Sequence, residues 1–114
     1  MQTKIRLDGL SELKRGLESK PKDVKPALQR ILQKHGAALQ QKEMRAVPVD
    51  TGTLKRSIIL DVNYESLTAT VEPTAHYASY VEYGTRYMNA QPFVRPSYNA
   101  QVTLFRQDVK NLSK

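Results

Sequence analysis

Val24, Ala27, Leu28, Ile31, Leu32, His35, Ala38 and Leu39 recur at 3.6-residue spacing and predict one amphipathic helix from about Asp23 to Arg45. A helix of that length spans about 34 Å, long for a chain of 114 residues, so any fold must be arranged around it. Pro26 is tolerated only in the first turn, where a missing N–H costs nothing. Gly36 weakens the middle by up to about 1 kcal/mol unless another element must approach closely there. Pro48 ends the helix and opens a linker, Val47-Pro48-Val49-Asp50-Thr51-Gly52.

On either side the apolar period changes. Ile5 and Leu7 alternate with Lys4 and Arg6, a short half-buried strand. Asp8 is placed to cap a following helix bearing Leu10, Leu13 and Leu17, which stops before Pro21. Ile58, Leu60, Val62 and Tyr64 alternate with Ile59, Asp61 and Asn63, and Leu67, Ala69 and Val71 resume the period after Glu65-Ser66. The pair reads as a hairpin closed by Pro73. His76 to Tyr83 suits a two-turn helix terminated by Gly84 in the left-handed region. Tyr98, Val102, Phe105, Val109 and Leu112 step by 4, 3, 4 and 3, predicting a last helix with Pro96 in its first turn. A hairpin alone is marginal, so the amino-terminal strand and part of 86–95 are expected to join it. The expected fold is a two-layer α+β domain. A small antiparallel or mixed sheet packs with one long helix and a C-terminal helix. Residues 1–114 form a single domain, with 1–3 and 111–114 as candidate flexible ends.

Cysteine is absent, which excludes disulfides, thiolate nucleophiles and cysteine-ligated zinc. No stretch approaches a membrane span or a secretory signal, so the chain reads as soluble. The net charge of +7 is uneven: residues 1–56 carry 13 basic and 6 acidic side chains, and residues 57–114 carry 5 of each. A basic half of this kind can meet nucleic acid or an acidic protein surface, or serve solubility alone.

Catalytic patterns are weak. Asp50-Thr51-Gly52 is the tripeptide of a homodimeric aspartic protease, but that fold is almost wholly strands, and here a long helix precedes it. As structure, Asp50 or Thr51 holds its own turn while Gly52 takes a positive φ. His35 lies on the apolar side of the helix, and neither it nor His76 has a metal-binding companion. No phosphate-binding glycine loop is present. We expect no enzyme, no cofactor and no metal. The tyrosines are more informative, because four of six fall at Tyr77, Tyr80, Tyr83 and Tyr87. Amphipathic rings of this kind favour interfaces, though they could equally complete a core that has no tryptophan.

Two segments carry a resemblance. Val47-Pro48-Val49-Asp50-Thr51-Gly52-Thr53-Leu54-Lys55-Arg56-Ser57-Ile58 resembles the P-x-D-T-G-x-L-(R/K)-x-S-I signature of tail-completion, or head–tail joining, proteins of long-tailed bacteriophages and prophages. Tyr77-Ala78-Ser79-Tyr80-Val81-Glu82-Tyr83-Gly84-Thr85-Arg86, then Met88 and Ala90-Gln91-Pro92-Phe93-Val94-Arg95-Pro96, is similar to the second signature of that family. Tyr83 stands where phenylalanine is common, and Tyr87-Met88-Asn89 varies a loose stretch.

The resemblance implies a tail-terminator-like fold and a structural role in the virion, at the head–tail junction, after assembly in the host cytoplasm. It implies a homo-oligomeric ring, of six subunits when assembled and monomeric in isolation, contacting the major tail tube protein and head–tail connector proteins. Genome DNA would pass through the lumen without sequence readout, and no membrane is involved. The motif residues are then Pro48, Asp50, Thr51, Gly52, Leu54, Ser57, Glu82, Gly84, Thr85, Arg86, Pro92, Phe93, Arg95 and Pro96. Glu82 is expected to pair with Arg86 at i,i+4. Tyr77, Tyr80, Tyr83 and Tyr87 are the expected subunit interface, and Lys20, Lys22 and Lys25 the DNA-facing cations. Two rival readings stand beside this one: a small basic nucleic-acid-binding protein with a non-specific electrostatic patch, and an adaptor that meets an acidic partner through the terminal helix.

Overall fold

The computed structural model describes residues 5–9, 11–12, 25–47 and 52–112. Of the expected helix over Leu10–Leu17 only Ser11 and Glu12 are described, and both are helical; the rest of it, the lysines Lys20 and Lys22, and Pro48, Asp50 and Thr51 lie outside the described residues. The alternating segments form three strands: β1 (Ile5–Asp8), β2 (Ile58–Asn63) and β3 (Thr68–Pro73). They make one antiparallel sheet in the order β1-β3-β2, with Ile5 opposite Val71 and Leu60 opposite the same residue on the other side. Residues 86–95 do not join it. Their only ladder contact is the isolated bridge of Thr85 with Met88, because Pro92 removes a donor and Val94 already begins a helix.

The helices whose bounds fall within the described residues are α1 (Lys25–Ala46), α2 (Gly52–Arg56), α3 (Ala78–Tyr83) and α4 (Val94–Asn111). In α1 the buried positions are Leu28, Leu32, His35, Gly36, Leu39 and Glu43, so the stripe continues one step past the last predicted apolar residue, and the step is a glutamate. This face packs on β2 and β3, while α1 also lies along α4, which reaches β1. A Cβ on Gly36 would come within 2.8 Å of Leu60 Cδ1 and 3.2 Å of Ala69 Cβ, so the glycine lets helix and sheet approach closely here. The α4 stripe buries Val102, Phe105 and Val109, with Tyr98 and Leu112 packed at its ends.

Asp8 behaves as a cap: its carboxylate accepts the Ser11 backbone N–H at 3.1 Å and the Ser11 hydroxyl at 3.1 Å. The hairpin turn is longer than the dipeptide expected. The Asn63 carboxamide oxygen accepts the N–H groups of Glu65 and Ser66, each at 3.0 Å, and Leu67 closes the turn at φ 56° with its side chain buried. Tyr64, expected to continue the alternation on the same side as Val62, sits in that turn and is exposed.

His35 is a core residue of the α1–α4 seam. Its Nε2 lies 2.6 Å from Asp108 Oδ2, and Gln101 Nε2 donates to Nδ1, which assigns the Nε2–H tautomer. The Gln101 carbonyl oxygen in turn accepts from Lys42, and Lys34 reaches Asp108 at 3.3 Å. His35, followed by Lys34, holds the Asp108 carboxyl below the usual carboxylate range. The chain of donors runs from Lys42 through Gln101 and His35 to the Asp108 carboxylate, contains no nucleophile, and fixes the register of the two helices.

Candidate assembly surface

The first signature segment builds a corner. Gly52 is the first residue of α2 and is not in the positive-φ region, contrary to the expectation for it; a helical start needs no left-handed residue. Leu54 is buried and seats α2 on the core. Ser57 ends it: its hydroxyl donates to the Leu54 carbonyl at 2.7 Å, and its own carbonyl accepts both the N–H (2.9 Å) and the hydroxyl (2.8 Å) of Thr74. The α1 side chain of Gln40 donates to the Ile58 carbonyl at 2.9 Å. The signature therefore locks the start of β2 to the end of β3, which delivers the chain into the tyrosine segment.

That segment is held from behind by Glu82. Ala78 and Glu82, four residues apart on α3, are its buried positions. The Glu82 carboxylate does not pair with Arg86. Its Oε1 accepts the backbone N–H groups of Phe93 and Val94, each at 2.8 Å, and its Oε2 that of Arg95 at 3.0 Å. These are the unsatisfied donors of the first turn of α4. Phe93, at the N-cap position, has no side-chain oxygen to accept them, so a carboxylate eleven residues earlier supplies the cap and complements the helix dipole. Pro96 follows where a missing N–H leaves no vacancy, Ser97 donates to the Phe93 carbonyl at 2.6 Å, and the Phe93 ring is fully buried. Pro92 and Arg95 are exposed around this joint.

A second buried carboxylate lies close by. Glu43 is fully buried, and neither carboxylate oxygen has a hydrogen-bond partner. Burial, with the Glu82 charge adding to it, pushes its pKa from 4.5 up to about 8. The sequence signal for Glu43 is its position four residues after Leu39, on the same helical face.

Beyond α3 the chain is pinned into a compact projection. Gly84 adopts φ 80°, ψ 173°, a region essentially restricted to glycine, and a Cβ there would lie 2.8 Å from the Ala90 nitrogen and 3.0 Å from the Met88 carbonyl oxygen. This is an extended positive-φ conformation and not the left-handed helical terminator expected. Thr85 N–H donates to Met88 O at 2.9 Å, Tyr87 N–H to Thr85 Oγ1 at 3.1 Å, and Gln91 N–H back to Val81 O at 2.8 Å. Gly84→Ala is expected to cost about 2–3 kcal/mol, read as a lower Tm, because the new methyl group meets backbone that cannot rotate away. An unchanged Tm would show that the projection is loosely held.

On this scaffold Tyr80 is 56% exposed, Tyr83 50% and Tyr87 88%, with Met88 also open to solvent. Arg86 lies over the Tyr87 ring, 5.6 Å from its centroid. Tyr77 is separate from this group: half-buried, it packs on the core with His76 edge-on to it at 5.6 Å. Lys25 is exposed at the start of α1. Among the described residues no cluster of three or more histidines, cysteines or carboxylates could hold a metal ion, and no helix is long and apolar enough to cross a membrane. The arrangement presents aromatic surface on a hydrogen-bonded support.

A family model described as the bacteriophage HK97-gp10 tail component matches residues 11–84, well over half of the chain. The match spans the first signature and the second as far as Gly84. No curated protein and no solved structure matches the chain.

Proposed function

The chain belongs to the bacteriophage HK97-gp10 tail-component family, and from that premise we propose that it completes the tail and joins it to the head, as a ring at the head-proximal end of the tail tube. Membership makes it a structural phage protein and not an enzyme. The observation that carries the finer reading is the exposed set Tyr80, Tyr83 and Tyr87, held on a segment that Glu82 and Gly84 keep rigid. Exposed aromatics on a preformed support lose little freedom when another subunit covers them. In this reading the fold is tail-terminator-like, the ring has six copies, and its neighbours are the major tail tube protein and the connector proteins of the head. Lys20, Lys22 and Lys25 face the passing genome and attract phosphate without reading bases.

Electron microscopy tests this directly. Purified protein added to tail tubes is expected to give a ring at one end, and phage lacking the chain to give tails without heads. A variant with Lys20, Lys22 and Lys25 changed to glutamine is expected to form the ring and deliver DNA less efficiently. Tube ends that stay bare, with normal virions from the deletion, would overturn the proposal. The exposed basic residues Arg30, Lys34 and Arg45 along α1 favour one alternative, a non-specific nucleic-acid-binding protein. Tight, steeply salt-dependent duplex binding by free protein that ignores tail tubes would select it.

A further inference from the structure

The projection at 84–91 carries a single charge, Arg86, beside the most exposed aromatic ring of the chain, Tyr87. The outer face of the sheet offers a contrasting surface. Ile59, 48% exposed, stands opposite Glu72, and Asp61 opposite Thr70; with Leu60 these residues line an open recess of about 390 Å³. Its apolar side chain is Ile59, beside two carboxylates, while the Leu60 side chain turns to Gly36 on the opposite face; Arg6 stands opposite Thr70 on β1. Because the recess is open and Tyr87 is 88% exposed, neither covers the other within one chain.

We infer that the Arg86–Tyr87 projection of one copy docks into the Ile59–Asp61–Glu72 recess of the next copy. The Tyr87 ring lies on Ile59, and the Arg86 guanidinium takes a forked contact with Asp61 and Glu72. Projection and recess are different surfaces, so the contact is heterologous and repeats head to tail, which is what a closed ring requires. The inference rests on the ring reading above, and it says which two faces meet. Among the described residues β2 is an edge strand, so the outer face of the sheet reaches a boundary where a neighbour can approach.

The chain has no cysteine, so introduced thiols report one contact only. Tyr87→Cys and Ile59→Cys proteins, one carrying a mass tag, are mixed with tail tubes, imaged and oxidised. Rings with a mixed Tyr87→Cys/Ile59→Cys cross-link in excess over either self-pair are expected. Rings with no mixed cross-link, or with self-pairs only, overturn this inference and leave the ring intact; bare tube ends overturn both. As a second measurement, Arg86→Glu is expected to lower ring occupancy at least about tenfold, as is Asp61→Arg with Glu72→Arg. Combining the two is expected to restore occupancy to within about threefold. Single reversals without effect, or a combination that fails to restore assembly, show that the recess receives something other than this projection.

Discussion

Glu82→Ala is expected to be the most damaging single substitution in the described part of the chain. The carboxylate is buried and gathers three backbone N–H groups into one cap, and two of the residues it serves, Phe93 and Val94, are themselves buried. Removing it strands those donors where water cannot replace the acceptor, and each stranded buried donor costs about 1–3 kcal/mol. Allowing for partial relaxation, the loss is about 3–5 kcal/mol, a large share of the stability of a domain this size. The Tm should fall by at least about 12 °C. Glu82→Gln is expected to lose roughly half as much, because its amide nitrogen cannot accept and faces one of the same N–H groups. Hydrogen exchange at Phe93, Val94 and Arg95 should accelerate in both variants before the rest of the chain opens. A Glu82→Ala protein within about 1 kcal/mol of wild type would mean that the cap is dispensable and that α3 and α4 are joined by packing alone.

That joint also shows where reading the sequence stops short. The strands and the long helix were legible because their periods are unambiguous: Ile58 to Asn63 alternates, and Leu28 to Leu39 recurs every three to four residues. Gly36 was legible as a place of close approach, since a helix interior tolerates glycine poorly without such a reason. Glu82 was readable only as a local partner for Arg86, because charge spacing along one helix reveals i,i+4 neighbours and nothing about a helix that begins twelve residues later. The missing clue was negative: no serine, threonine, aspartate or asparagine stands at the cap position of α4, so its first N–H groups needed an acceptor from elsewhere. Gly52 and Gly84 were both expected at positive φ, and only Gly84 adopts it, because composition marks a turn without fixing its dihedral angles. Of the tyrosines, Tyr77 turned to the core while Tyr80 and Tyr83 stayed open, a division set by α3 burying Ala78 and Glu82.

Glu43→Gln is expected to abolish a pH dependence as well as raise stability. In the folded chain Glu43 holds its proton up to about pH 8, whereas the unfolded side chain releases it near 4.5. Between those values the folded state binds more protons than the unfolded one, so wild-type stability is fully present below 4.5 and declines as pH rises towards 8. By pH 7 the decline is on the order of 3 kcal/mol. Glutamine has nothing to ionise and similar volume, so the variant should match wild type near pH 4.5 and exceed it by about 3 kcal/mol at neutral pH, in urea titrations across the range. Glu43→Met should gain at every pH, since it also removes two unpartnered oxygens from the core. Asp108 acts in a separate window: its pKa is lowered, so its contribution is present above 3.8 and is lost only as pH falls further. Because burial outweighs the Glu82 charge as the cause of the Glu43 shift, the Glu82→Gln background should retain most of the slope between 4.5 and 8. If that background abolished the slope, the Glu82 charge and not desolvation would be the source of the Glu43 shift. If wild type showed no decline between pH 5 and 8, Glu43 would have to find a partner or water that stabilises its charge.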